Sequence, residues 1–105
     1  MSEEKTIQRS IEVRLGIQKA LLGRISKHIR AIYCGWGDTS IDMHIIFHGP
    51  IQEQDDEDIR LIKSHLANLF PKNSIDIETF RIDYPQERPI FENAYLVYLR
   101  KENKA

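Results

Sequence analysis

The stretch Ala31–His48, AIYCGWGDTSIDMHIIFH, decides the fold. Two apolar runs of β type flank Gly37-Asp38-Thr39-Ser40, four residues with turn chemistry. In the second run Ile41, Met43, Ile45 and Phe47 alternate with Asp42, His44, Ile46 and His48. A period of two gives a strand with one buried face and one partly wet face. An antiparallel hairpin is therefore expected here.

On the N-terminal side, Ile7, Ile11, Leu15, Leu22, Ile25 and Ile29 recur at mostly helical steps between Lys5 and Arg30. Gln18 interrupts this stripe, and Ile17, Ala20 and Leu21 widen it. Gly16 and Gly23 each cost about 1 kcal/mol relative to Ala inside a helix, so a kink or two shorter helices remains open. Gly23 reads as a point where the helix packs closely on a sheet. Residues 1–18 are expected as a helical N-terminal extension of a single domain spanning 1–105.

On the C-terminal side, Gly49-Pro50 closes the hairpin and the acidic run Glu53, Asp55, Asp56, Glu57, Asp58 follows. Acids in a first helical turn favour its positive end by about 0.3–1 kcal/mol each. Ile59, Ile62, Leu66, Leu69 and Phe70 then recur at helical steps, and Pro71 marks the stop. The strand Ile75–Tyr84 changes parity between Ile77 and Phe80, which a β-bulge near Glu78-Thr79 would reconcile. Pro85–Pro89 is a loop, Ala94–Arg100 the closing strand, and 101–105 a frayed tail.

The element order α-β-β-α-β-β looks like a duplicated helix–hairpin unit. It implies an α+β domain: a four-stranded, mainly antiparallel sheet with both helices on one face. The other face is expected to be open to solvent or to a partner.

A chain of 105 residues fits one core, and 41% hydrophobic with 30% charged residues is ordinary for a globular protein. Fifteen Lys+Arg against sixteen Asp+Glu leave a formal charge of −1, which disfavours a dedicated nucleic-acid binder. The lone Cys34 excludes an intrachain disulfide and a multi-cysteine zinc site. The opening MSEEKTIQRS does not read as a signal peptide, and no run approaches ~20 apolar residues. The chain reads as cytoplasmic, with no membrane association.

No phosphate-binding glycine loop, HExxH, CxxC or nucleophile elbow occurs, and no cofactor or metal is expected. Cys34, flanked by Tyr33 and Gly35, reads as a buried structural thiol. His44 and His48 share a strand face but stand roughly 13 Å apart, too far to hold one metal ion. They read as solvated sheet histidines rather than catalytic ones. The run Glu53–Asp58 lacks the ligand spacing and internal glycine of a calcium loop. It would, however, steer a cationic protein partner. By parity, the open face should carry Tyr33, Asp42, His44, His48, Tyr98 and Arg100, a mixture able to stack on single-stranded bases. Trp36 beside the turn reads equally as an interface anchor or as a lid over the core edge.

Three stretches carry a family likeness: Ala20–Ala31 (ALLGRISKHIRA), Ile82–Pro85 (IDYP) and Leu96–Glu102 (LVYLRKE). With the acidic opening of the second helix, they resemble small bacterial immunity proteins of contact-dependent growth inhibition and colicin-like toxin systems. The likeness covers most of Ala20 to Glu102. It implies a non-enzymatic antitoxin that blocks a cognate toxin, a nuclease, by direct one-to-one contact. On that reading the contacts are Glu53, Asp55, Asp56, Glu57 and Asp58, with Asp83, Glu87 and Trp36 next. The rival readings are nucleic-acid binding on Tyr33, His44, His48, Tyr98 and Arg100, and an enzyme using His44 or His48. A homodimer across the open face is compatible with any of them.

Overall fold

The computed structural model describes residues 3–102. Its order is α1 (Glu3–Leu21), β1 (Ile29–Trp36), β2 (Ser40–Phe47), α2 (Glu53–Leu69), β3 (Ser74–Arg81) and β4 (Tyr95–Leu99). The four strands form one sheet in the order β3-β2-β1-β4. β1 pairs antiparallel with β2 and with β4, while β2 and β3 run parallel. The fold is α+β with the expected element order, and the sheet is mixed.

The expected hairpin is present: Tyr33 faces His44, and Gly37 N–H donates to the Ser40 carbonyl at 3.0 Å. A second hairpin is absent. α2 carries the chain from the end of β2 back to the start of β3, so β3 joins β2 in parallel, as a helical crossover dictates. Residues 82–94 then lead the chain to the opposite edge, where β4 adds to β1.

β3 contains no bulge. Its register with β2 runs unbroken from Ser40↔Ser74 to Phe47↔Arg81. The parity change arises because the two faces of β3 serve different packing. Ile75 and Ile77 pack on the core under the helices, whereas Phe80 meets Phe91 on the far side at 5.5 Å between ring centroids. The irregularities lie in β1 instead, between Ile29 and Ala31 towards β2 and between Ile32 and Tyr33 towards β4.

The main core joins Val13, Ile17, Ala20 and Leu21 of α1 and Ile62 and Leu66 of α2 to one sheet face. Both helices therefore cover the same side. Ile32 and Cys34 of β1 and Met43, Ile45 and Phe47 of β2 supply the sheet's share. Burial pushes the Cys34 thiol up to about 12, so it is a packing group and not a thiolate nucleophile.

Seven residues, 22–28, separate the end of α1 from β1, so the helix is shorter than the apolar spacing suggests. Gly23 is the reason: its φ of +74° is left-handed, and a Cβ there would meet nothing within 4 Å. It ends the helix rather than packing against the sheet, as a C-terminal glycine does. The close-packing glycine is Gly16, where an added Cβ would come within 2.5 Å of the Phe70 ring. Gly23→Ala is expected to cost about 1 kcal/mol from backbone strain alone, read as a lower urea midpoint at unchanged slope.

The C-terminal segment is tied down as far as Glu102, whose carboxylate accepts from Arg30 at 2.7 and 3.1 Å. The rest of the expected frayed tail, 103–105, lies outside the described residues, as do residues 1 and 2 of the N-terminal extension.

Candidate functional site

Because β2 runs straight into α2, the helix start lies at the sheet end where β2 and β3 finish. The acidic run is thus held at one end of the molecule. Asp55 does not face solvent there; it is 4% exposed. Its carboxylate accepts Gln52 N–H at 3.0 Å and the Ser26 hydroxyl at 3.0 Å, with His28 Nδ1 at 3.8 Å. An acid at the third helical position that takes up the N-cap N–H fixes where the helix begins. Asp55 is therefore a structural residue, a correction to its place among the surface acids. The residue pattern Gln52-x-x-Asp55 was the available signal for this.

The other members point outward. Glu53, Asp56 and Glu57 are exposed, and among the described residues none forms an ion pair. Asp58 is half-buried and accepts from Gln54 at 3.1 Å. Asp83 joins the same end, since it accepts Gly49 N–H at 2.8 Å just ahead of α2. Arg81 donates to it at 3.1 Å, and that bond, with the Gly49 bond, holds its carboxyl below the usual carboxylate range. Glu102 is also here, shared by Arg30 and Arg100. The paired acids are thus neutralised, and the uncompensated charge is concentrated on Glu53, Asp56 and Glu57, with the half-buried Asp58 beside them.

Glu87 and Trp36 are not brought to this end. Glu87 is exposed on the 84–94 loop. Trp36 closes β1 at the hairpin end, roughly 20 Å away along the strands. Its ring is half-buried against the core and stacks on Tyr95 at 5.1 Å, with the Arg14 guanidinium over both rings.

The far sheet face is not open around Tyr33 and His44. The 84–94 loop folds over it and lays Phe91 on His44, with centroids 4.4 Å apart and planes within 1°. Phe91 also meets Tyr33 at 5.1 Å, and Arg88 donates to the Tyr33 hydroxyl at 2.8 Å. The stacking positions that a base would need are filled by the chain's own aromatics. His48 Nδ1 accepts Tyr84 N–H at 2.9 Å, which anchors the start of the same loop. Arg100 is spent on the Lys27 carbonyl and Glu102. Tyr98 lies on the helix side, packed against the main core. The Ile32/Tyr33 irregularity shifts the β4 parity and so overturns its expected placement. Asp42 remains on the far face by register, two pairs along from His44.

Phe91 is the residue that sequence reading missed, because an aromatic in an irregular loop carries no periodic signal. Phe91→Ala is expected to cost about 2 kcal/mol and to open the 84–94 loop to proteolysis before global unfolding. Limited digestion followed by mass analysis would locate the cut.

Among the described residues no cluster of His, Cys, Asp and Glu could hold a metal ion, and no helix is long and apolar enough to cross a membrane. No curated protein matches the chain. A family model, described as MafI2 immunity protein, matches residues 10–102. That match takes in both helices' buried faces, all four strands and the Arg30–Glu102 pair, and the chain belongs to the MafI2 immunity protein family.

Proposed function

We propose that the protein neutralises a cognate toxin by binding it one-to-one in the cytoplasm of the producing cell, and that the toxin is a nuclease. The reading rests on family membership together with one observation: Glu53, Asp56 and Glu57 stand unpaired at the exposed start of α2. A nuclease cleft must be cationic to hold phosphates, and a rigid acidic surface is complementary to it. Asp58 and Asp83 extend that surface, and Asp55 acts beneath it by fixing the helix start. Glu87 and Trp36 are outlying contacts reached only by a large partner. The system to which the toxin belongs is of the contact-dependent or colicin-like kind. The protein contributes no chemistry of its own; it occludes.

Nucleic-acid binding on the far face is not favoured, since Phe91 and Arg88 already occupy the groups it would use. The test is to titrate purified toxin domain with the protein and follow nuclease activity. A sharp loss of activity ending at equimolar protein is expected. Full activity in a several-fold excess of folded protein would overturn the proposal.

A further inference from the structure

The two edges of the sheet differ in a way that points to a second partner surface. An edge strand offers unpaired backbone N–H and C=O groups, and proteins usually guard it with charge or proline. β3 is guarded: Asp76, Glu78 and Arg81 punctuate it. β4 is Tyr-Leu-Val-Tyr-Leu, with neither charge nor proline, and Tyr95, Leu96, Val97 and Leu99 are exposed.

The neighbouring flank of α1 is apolar as well. Ile7, Ile11, Leu15 and Leu22 form the helical stripe noticed in the sequence, but it faces outward while Val13, Ile17 and Ala20 face the core. Two hollows show that this stripe and β4 share one side of the molecule. One, of about 500 Å³, lies between Leu21, Leu22 and Val97; the other, of about 640 Å³, lies between Ile7 and Tyr95. Tyr95 and Val97 border the α1 stripe, while Leu96 and Leu99 lie on the far face of the same edge, Leu96 beside Tyr33 and Phe91. The eight exposed side chains retain 38–68% of their accessible surface. At roughly 100 Å² each, the six on the helix side sum to roughly 600 Å², the top of the range for the largest apolar patch of a typical monomer. Edge-to-edge strand pairing also covers the far-face pair, which brings the total to roughly 800 Å², one partner's share of a standard interface.

We propose that this surface is a homodimer interface, in which β4 pairs with β4 of a second copy and the two α1 helices lie side by side. Twofold symmetry requires the patch to complement itself. An antiparallel β4 pair about Val97 sets Tyr95 of one copy opposite Leu99 of the other and joins two sheets into one of eight strands. The same axis makes the two α1 helices antiparallel. Their net charges then match: Glu3, Glu4 and Glu12 outnumber Lys5 in the first half of α1, and Arg14 and Lys19 lie in the second. Arg9, the other cation of the first half, is turned away onto the Gly37 carbonyl and Asn73. α2 packs on β3, at the opposite edge from β4, so each copy keeps its own toxin surface and the complex holds two of each chain.

Sedimentation equilibrium of the full chain without toxin tests this. A dimer is expected, and Leu15→Glu or Val97→Lys should each weaken it by about a hundredfold with an unchanged circular dichroism spectrum. Leu15→Glu changes an exposed helix position, so its folding is not at issue. A monomeric wild type, or a dimer that survives both substitutions, would overturn the proposal. Neither result bears on toxin inhibition, which is read separately from nuclease activity.

Discussion

Glu102→Ala is expected to lower stability by about 3 kcal/mol. Arg30 is the cause. Its side chain is 3% exposed at the start of the inner strand β1, and it donates to both Glu102 oxygens and to the Ile82 carbonyl at 2.6 Å. Removing the carboxylate leaves a buried guanidinium with one neutral acceptor, and a charge so stranded is costly. Glu102→Gln keeps one acceptor and should cost less. Urea denaturation at neutral pH separates the two. The bond from Arg30, aided by Arg100, also holds the Glu102 carboxyl below its ordinary range. A carboxylate depressed in the folded state adds stability above its unfolded pKa and loses it as pH falls through the folded one. Stability should therefore decline on the acid side of the carboxylate range, with Asp83 acting in the same sense. In Glu102→Gln that decline should be shallower.

The second large effect is kinetic. Reversing the three fully exposed acids, as Glu53→Lys, Asp56→Lys and Glu57→Lys together, should slow toxin association about a hundredfold at low salt. Dissociation should change far less, because exposed charges at an interface rim act mainly on encounter. Added salt should slow the wild type and leave the triple variant nearly unaffected or slightly faster. Some stability loss accompanies the variant, since lysines oppose the positive end of α2. Asp55→Asn contrasts with it: this substitution weakens the helix start and stability, with little effect on association beyond that.

Local pattern made the elements legible, and tertiary context decided their faces. The β1–β2 hairpin and α2 followed from periodicity and turn residues, because every neighbour within them agreed. α1 is legible as a helix, but its apolar spacing does not say which face turns inward. Ile7, Ile11 and Leu15 have the helical spacing, yet the smaller Gly16 and Ala20 are what let the helix reach the sheet and Phe70. Size at the contact outweighed hydrophobicity. The two parities of β3 looked like a bulge because only one apolar face was assumed. In the fold there are two, the second being the cluster of Phe80, Phe91, Tyr33 and His44 beneath the loop. That cluster depends on a contact across 47 residues between His44 and Phe91, and no short-range pattern encodes it. The acidic end was legible as charge, but not the division of labour within it. Burial of Asp55 and pairing of Asp83 and Glu102 are products of the fold.

Backbone hydrogen exchange of the protein, alone and in complex with its toxin, tests where the toxin is held. Protection appearing at residues 52–58, with the Gly49 and Asp83 segments alongside, is the result expected if the acidic start of α2 is the toxin-binding surface. Protection confined to α1 and β4, with the start of α2 exchanging as in the free protein, would contradict it.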